Sequence, residues 1–114
     1  MTVVWNLSKN VPTKEQTDAG LRSLNEEDTK RVRELLTFEW HPSGVMHQRM
    51  RDLVRIAKEY VRENDRVFID PPVWFVHVLE TNLIKAGIYP VYSFRTTSDP
   101  EKHVSWIRGG LIFE

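Results

Sequence analysis

The chain has 114 residues, of which 40% are hydrophobic and 28% charged, a composition typical of a globular protein and unlike a disordered or fibrous one. Lys and Arg number 16 and Asp and Glu also 16, so no net charge directs the protein toward duplex nucleic acid or an anionic membrane. With no cysteine, disulfides, thiolate metal sites and a thiol nucleophile are excluded, and together with the absence of a signal-like start this predicts one cytoplasmic domain spanning residues 1–114, without a membrane partner.

The first part of the chain predicts two strands and a capped helix. Residues 3–7 are β-prone and form the first predicted strand. Residues 13–16 have the Thr-x-x-Gln form of a capping box, so a first helix is expected over 13–25. Residues 26–33 are charged and fit either a short helix or a loop. Residues 35–40 are mostly apolar and end before a His-Pro pair, a pattern typical of the end of a strand. They predict the second strand.

The middle of the chain has the clearest periodicity. Residues 46–61 place their apolar side chains on one face of a helix, and Ser43 is positioned to cap it. The opposite face carries four cations, Arg51, Arg55, Lys58 and Arg62. Residues 66–70 predict a short buried strand. A third helix is expected over 71–86, ending on Gly87, a residue that readily adopts a left-handed conformation.

Two more strands complete the predicted order. Residues 88–94 form a fourth strand, and residues 103–107 return as a fifth, antiparallel strand after a turn. The order β-α-β-α-β-α-β-β predicts an α/β protein with the architecture of a Rossmann-like three-layer sandwich, in which a parallel core is followed by the antiparallel strand.

Polar side chains follow the predicted strands at the points where they end. Right-handed crossovers bring the carboxyl ends of parallel strands to one edge, where α/β sheets bind their ligands. The residues expected at that edge are Ser8, Lys9, Asn10, His41, Ser43, Asp70, Ser93 and Arg95. Together with the helix start at Pro71 and Pro72, they favour an anion or nucleotide site. The alternative is that these side chains only cap helices and turns, and Asp70 could do both.

Two further patterns bear on partners. The histidines do not form an i,i+4 pair with a nearby carboxylate, so neither a metal ion nor another cofactor is expected. The helix over 71–86 carries an apolar surface that exceeds one core face, formed by Trp74, Phe75 and Val78. Symmetric pairing is the commonest assembly of soluble proteins, so this surface predicts a homodimer through that helix.

Three segments give a family resemblance: Ile69-Asp70-Pro71-Pro72 before an apolar helix, residues 86–95, and a final strand that contains His103. In these segments the chain resembles the small CRISPR-associated, CARF-like proteins of type III systems that bind cyclic oligoadenylate, the ring-nuclease group. The resemblance implies a homodimer that holds cyclic tetra-adenylate across its two-fold axis. It also implies that the protein either cuts or sequesters this messenger, which ends an antiviral signal.

The resemblance further implies a metal-independent reaction, in which a ribose 2′-hydroxyl attacks the neighbouring phosphate and leaves a 2′,3′-cyclic phosphate end. Arg95 is then expected to stabilise the developing charge, and Ser8 and Ser93 to position the ring. Asp70 and the helix start at Pro72 would supply a backbone cradle for the phosphates.

Two features of this chain differ from that family. Residues 99–102 form a short segment, and the ending over residues 108–113 does not match. Proton transfer could fall to His41 or His103. Two alternatives therefore stay open: a binding module that holds cyclic oligoadenylate without cutting it, and a dimeric interaction protein without nucleotide chemistry.

Overall fold

The structure is a computed structural model that describes residues 3–39, 42–94 and 105–109. Within these ranges five strands form one sheet: β1 (Val4–Asn6), β2 (Leu21–Arg22), β3 (Arg66–Phe68), β4 (Tyr89–Phe94) and β5 (Ser105–Arg108). Their spatial order is β2-β1-β3-β4-β5. β1 pairs in parallel with β2 and β3, β3 pairs in parallel with β4, and β5 is antiparallel to β4. The prediction of an α/β protein with a mostly parallel sheet and a final antiparallel strand is confirmed.

Among the residues described, four α-helices connect the strands: α1 (Lys14–Asp18), α2 (Glu26–Leu35), α3 (Met46–Tyr60) and α4 (Val73–Lys85). A single 3₁₀ turn, Pro42–Gly44, precedes α3. The predicted capping box is present, since the Thr13 hydroxyl accepts from the Gln16 N–H and the Gln16 side chain accepts from the Thr13 N–H, both at 3.1 Å. None of the helices in the described part of the chain is long and apolar enough to cross a membrane.

The two faces of the sheet are covered unequally. α2, α3 and α4 pack on one face over a large core that includes Leu53, Phe75 and Leu79, all with no exposed surface. The buried cluster on the other face is small and consists of Val4, Leu21, Phe68 and Val91, with Trp106 packed against it. α1 lies on this second face without burying any residue of its own. The indole N–H of Trp106 donates to the Ala19 carbonyl at 2.9 Å and so holds the end of α1 to the sheet.

The predicted second strand over residues 35–40 is wrong. Leu35 is the last residue of α2 and Leu36 is its C-cap, and both are buried against the sheet from the helix layer. The charged segment before them is helical because the Asn25 side chain accepts from the Asp28 N–H at 2.7 Å, which caps α2 at its start. Apolar residues near a helix end therefore produced a strand-like pattern.

The second strand lies instead at Leu21–Arg22, inside the region predicted as the first helix. α1 ends at Asp18, and Gly20 then adopts a φ of 108°, a conformation that favours glycine and breaks the helix. This turn delivers Leu21 to the sheet, where it pairs with Val4 and is buried. The predicted helix over 13–25 is therefore too long, because Leu21 is buried as part of a strand on the second face of the sheet.

Two of the predicted helix boundaries have different outcomes. Ser43 does not cap α3, because the N-cap is Val45 and makes no side-chain capping hydrogen bond. At the end of α4, by contrast, Gly87 has a φ of 80°, so the predicted left-handed C-terminal residue is confirmed.

Candidate ligand site at the carboxyl edge of the sheet

The strand order places a topological switch point between β1 and β3. From β1 the chain crosses through α1 to β2 on one side, and then returns through α2 and α3 to β3 on the other side. The chain leaves β1 through α1 and leaves β3 through α4. These two helices lie on opposite faces of the sheet. In open α/β sheets a crevice forms at such a point, outside the carboxyl ends of the strands. The loops after β1 and β3 lie there.

A polar cluster joins these two loops. The Asn10 side-chain amide donates to Asp70 Oδ2 at 2.7 Å and so connects the chain after β1 to the chain after β3. The Ser8 hydroxyl donates to Asn6 Oδ1 at 2.6 Å and accepts from the Asn10 N–H at 3.2 Å. The Asn6 amide in turn donates to the Asn10 carbonyl at 3.0 Å. Asn6 and Ser8 are buried, whereas Asn10 and Asp70 are exposed, so a buried base supports a solvent-facing amide and carboxylate.

Asn6 belongs to this cluster but is not among the predicted site residues, because it lies inside the predicted first strand. A signal was present. An amide in a buried strand needs hydrogen-bond partners, and Ser8 lies two residues later, which places both side chains on the same side of an extended chain.

Ser93 lies on the same face of the sheet as Asn6, but its side chain does not bond to the cluster of Asn6, Ser8, Asn10 and Asp70. By strand alternation it lies on the face of Val91, which α1 covers. Its hydroxyl accepts from the Gln16 side-chain amide of α1 at 3.2 Å. Gln16 therefore completes the capping box and also ties α1 to β4.

The start of α4 lies directly beside Asp70. Its N-cap is Pro72, which provides no side-chain capping hydrogen bond, so Asp70 is not the cap and points to Asn10 instead. The first N–H groups of a helix lack partners within the helix, and they carry the positive end of its dipole. Val73 and Trp74 in this first turn are 88% and 45% exposed, so solvent reaches this end of the helix.

The other predicted site residues are distributed as follows. Lys9 is exposed in the loop after β1, next to the cluster, and Pro71 precedes the N-cap of α4. Arg95, His41 and His103 lie outside the described residues. Ser43 lies in the 3₁₀ turn before α3, since the strand that was expected to bring it to this edge does not exist.

The segment before that turn still reaches α4. The ring of Phe38 lies 4.8 Å from the ring of Trp74 and 5.5 Å from that of Phe75, with edge-on geometry in both pairs. The guanidinium of Arg49 lies 4.6 Å from the Phe38 ring centroid. These contacts place the start of the α2–α3 connection beside the first turn of α4.

Behind the carboxyl edge, Tyr92 and Glu80 form a tightly bonded pair. The Tyr92 hydroxyl donates to Glu80 Oε2 at 2.5 Å. Burial raises the pKa of Tyr92 well above its usual value, and the hydrogen bond to Glu80 and the negative charges of Glu80 and Asp70 raise it further. Tyr92 is therefore a neutral hydrogen-bond donor at physiological pH.

The chemistry of the described residues is that of a polar binding site. Asp70 can accept hydrogen bonds from hydroxyl groups, while the Asn10 amide and the first turn of α4 can donate to oxygens of an anion. Across the three described ranges, His, Asp and Glu side chains do not form a group of three or more that could hold a metal ion. Comparisons of the chain with protein-family models, curated proteins and solved structures find no match.

Proposed function

We propose that this protein binds a cyclic oligoadenylate, cyclic tetra-adenylate in particular, at the carboxyl edge of a Rossmann-like sheet. The observation that carries the proposal is the Asn10–Asp70 hydrogen bond, which joins the loops after two adjacent parallel strands at the switch point. Ligands of open α/β sheets bind at this position. The helix start beside Asp70 and the exposed Lys9 would meet phosphates, and the Asp70 carboxylate would accept from a ribose hydroxyl.

In the proposed reaction the bound ring supplies its own nucleophile. The 2′-oxygen of a ribose forms a bond to the adjacent phosphorus, the bond from phosphorus to the 5′-oxygen breaks, and the 2′-hydroxyl proton ends on that 5′-oxygen. The protein then contributes alignment and charge stabilisation. Arg95 is the proposed charge-stabilising residue, and Ser8 and Ser93 are proposed to position the ring.

One observation favours the second candidate, a binding protein that sequesters the ring without cutting it. The Ser8 hydroxyl has a single proton, and it donates that proton to Asn6 at 2.6 Å. Ser8 is also buried and accepts from the Asn10 N–H, so it can donate a hydrogen bond to the ring only if this cluster rearranges. Ser93 keeps its proton, since it accepts from Gln16.

The test is to incubate the purified protein with labelled cyclic tri-, tetra- and hexa-adenylate in the presence of a chelator, and to separate the products. Linear products with 2′,3′-cyclic phosphate ends would support cleavage, and stoichiometric binding without products would support sequestration. If none of the three rings binds at micromolar protein, the proposed function is wrong.

Two variants locate the site. Asp70→Asn is expected to weaken ring binding by on the order of tenfold, because it removes a charged hydrogen-bond acceptor. The matched control is Glu59→Gln, which makes the same chemical change at an exposed residue near the end of α3, and it is expected to bind like the wild type. Equal binding by all three proteins would place the ligand elsewhere.

A further inference from the structure

A second concave surface lies on the outside of the helix layer, between α3 and α4. It has a volume of about 460 Å³, and four of its lining residues are cations: Arg51, Arg55, Lys58 and Lys85. No carboxylate is among the described residues that line it. The chain as a whole is neutral, so this groove is a local concentration of positive charge that the composition conceals.

Most of this charge is not compensated. Among the described residues, Arg51, Lys58 and Lys85 form no ion pair, and all three are exposed. Arg55 lies 3.5 Å from Asp52, which also lies 3.4 Å from Arg31. Asp52 therefore divides its charge between two guanidinium groups and leaves the groove positive.

The groove has cationic walls and an apolar floor. Three cations recur at i, i+4 and i+7 along α3, so at roughly 1.5 Å per residue they span about 10 Å of one wall. Lys85, in the last turn of α4, stands on the other wall. The floor includes Met50, Val54 and Ala86. Methionine adapts its shape to different apolar partners.

The concave surface continues toward the amino ends of the strands. A neighbouring hollow of about 530 Å³ shares Lys58 and Ala86 with the groove and adds two cations, Arg62 and Arg66, and two carboxylates, Glu63 and Asp65, so it extends the length of the surface without adding net charge. The combined surface is longer than one helical turn and runs along the α3 axis. An elongated partner fits it better than a compact one does.

We propose that this groove docks an acidic amphipathic helix from a partner protein. Such a helix would place its apolar side chains on the floor and its Glu and Asp side chains against the two cationic walls. Single-stranded nucleic acid is the other polyanion to consider, but sites for it stack bases on aromatic side chains. Of the side chains that the structure describes, none that lines the groove between α3 and α4 is aromatic. Tyr89 lines the neighbouring hollow, and the guanidinium groups of Arg66 and Arg108 already lie over its ring.

The test uses a synthetic helical peptide with a leucine stripe flanked by glutamates, titrated into the labelled full chain. Two control peptides have the same composition in scrambled order, or lysine in place of each glutamate. We expect the acidic amphipathic peptide to bind most tightly and its affinity to fall as salt is raised. Equal binding of all three peptides would overturn the proposal.

Variants then locate the binding. The double charge reversal Arg51→Glu with Lys85→Glu is expected to weaken peptide binding at least tenfold. The matched control is Lys30→Glu with Arg33→Glu, which reverses two exposed cations of α2 and changes the net charge by the same amount, and it is expected to change binding less than twofold. If the double variant of the groove binds the peptide like the wild type, or if oligouridylate binds more tightly than the peptide and loses that binding in the same variant, the proposal is wrong.

Discussion

Asn10 and Asp70 are 60 positions apart, and their hydrogen bond is exposed to water. Water competes for both groups, so this contact contributes little to the free energy of folding. Its significance is positional, since it aligns the two loops that border the switch point. The buried Asn6–Ser8 hydrogen bond contributes more to the stability of the fold, because buried polar groups without partners would destabilise it.

At the same scale, the Tyr92–Glu80 pair predicts a pH dependence of stability. The pKa of Tyr92 is raised in the folded state by burial and by Glu80. That of Tyr60 is raised by burial and by its hydrogen bond to Asp28. The folded state then holds protons that the unfolded state loses above about pH 10, the usual tyrosine value. Stability is fully present below that pH and falls as the pH rises from there toward the raised values.

Tyr92→Phe should lower the free energy of unfolding at neutral pH by about 1–2 kcal/mol, because it removes a hydrogen bond to a charged acceptor. Between pH 9 and about pH 11 its stability should fall less steeply than that of the wild type, since only Tyr60 then contributes. Urea unfolding measured across this range tests both expectations. A variant with the wild-type slope would show that Tyr92 does not contribute to the alkaline loss.

At the scale of elements, Arg49 connects three parts of the helix layer. Its guanidinium donates to the carbonyls of Leu35 and Thr37, at and just after the end of α2, where helix carbonyls lack partners. The same group lies over the ring of Phe38, whose edge packs on Trp74 at the start of α4. One side chain of α3 thus joins the end of α2 to the start of α4.

Arg49→Ala should therefore lower the free energy of unfolding by about 1–3 kcal/mol, through lost hydrogen bonds and a lost cation–π contact. Arg49→Lys should recover part of this, because an ammonium keeps the charge but lacks the planar donor set. The control is Arg51→Ala on the same helix, an exposed cation expected to change stability by less than about 0.5 kcal/mol. Thermal unfolding of the three variants measures these differences. Equal shifts of the unfolding midpoint in Arg49→Ala and Arg51→Ala would contradict the stabilising role of Arg49.

At the scale of the whole molecule, the structure narrows the surface on which a homodimer could form. Phe75 is fully buried and Val78 packs against the core, so only part of the predicted apolar surface of α4 faces solvent. Of that surface Trp74 remains, at 45% exposure, and the neighbouring Val73, which was not part of the prediction, is 88% exposed. A homodimer through the first turn of α4 stays a prediction, with this smaller surface at its centre.

Light scattering at micromolar concentration should give the mass of a dimer, and Trp74→Glu should give that of a monomer, because it places a charge in the apolar contact. Ile84→Glu changes an exposed apolar residue near the other end of the same helix and should leave the dimer intact. A monomeric wild type would rule out the predicted assembly.

The sequence by itself determined the features that depend on neighbouring residues. The capping box of α1 and the left-handed Gly87 follow from contacts within a few positions of the chain. The amphipathic α3 and the buried β3 follow from the order of apolar and polar residues within each segment. The local pattern is therefore sufficient to predict that these elements form and which of their residues are apolar.

Only the tertiary structure decided the position of the second strand and the composition of the site. β2 has two residues, too few for any periodicity, and it is a strand because Leu21 finds Val4 and a buried place on the second face. The Asn10–Asp70 contact likewise exists because β1 and β3 are neighbours in the sheet. A strand can pair with any other strand along the chain. The interactions that select its partner are therefore made with residues distant in the sequence, and the neighbouring residues do not predict them.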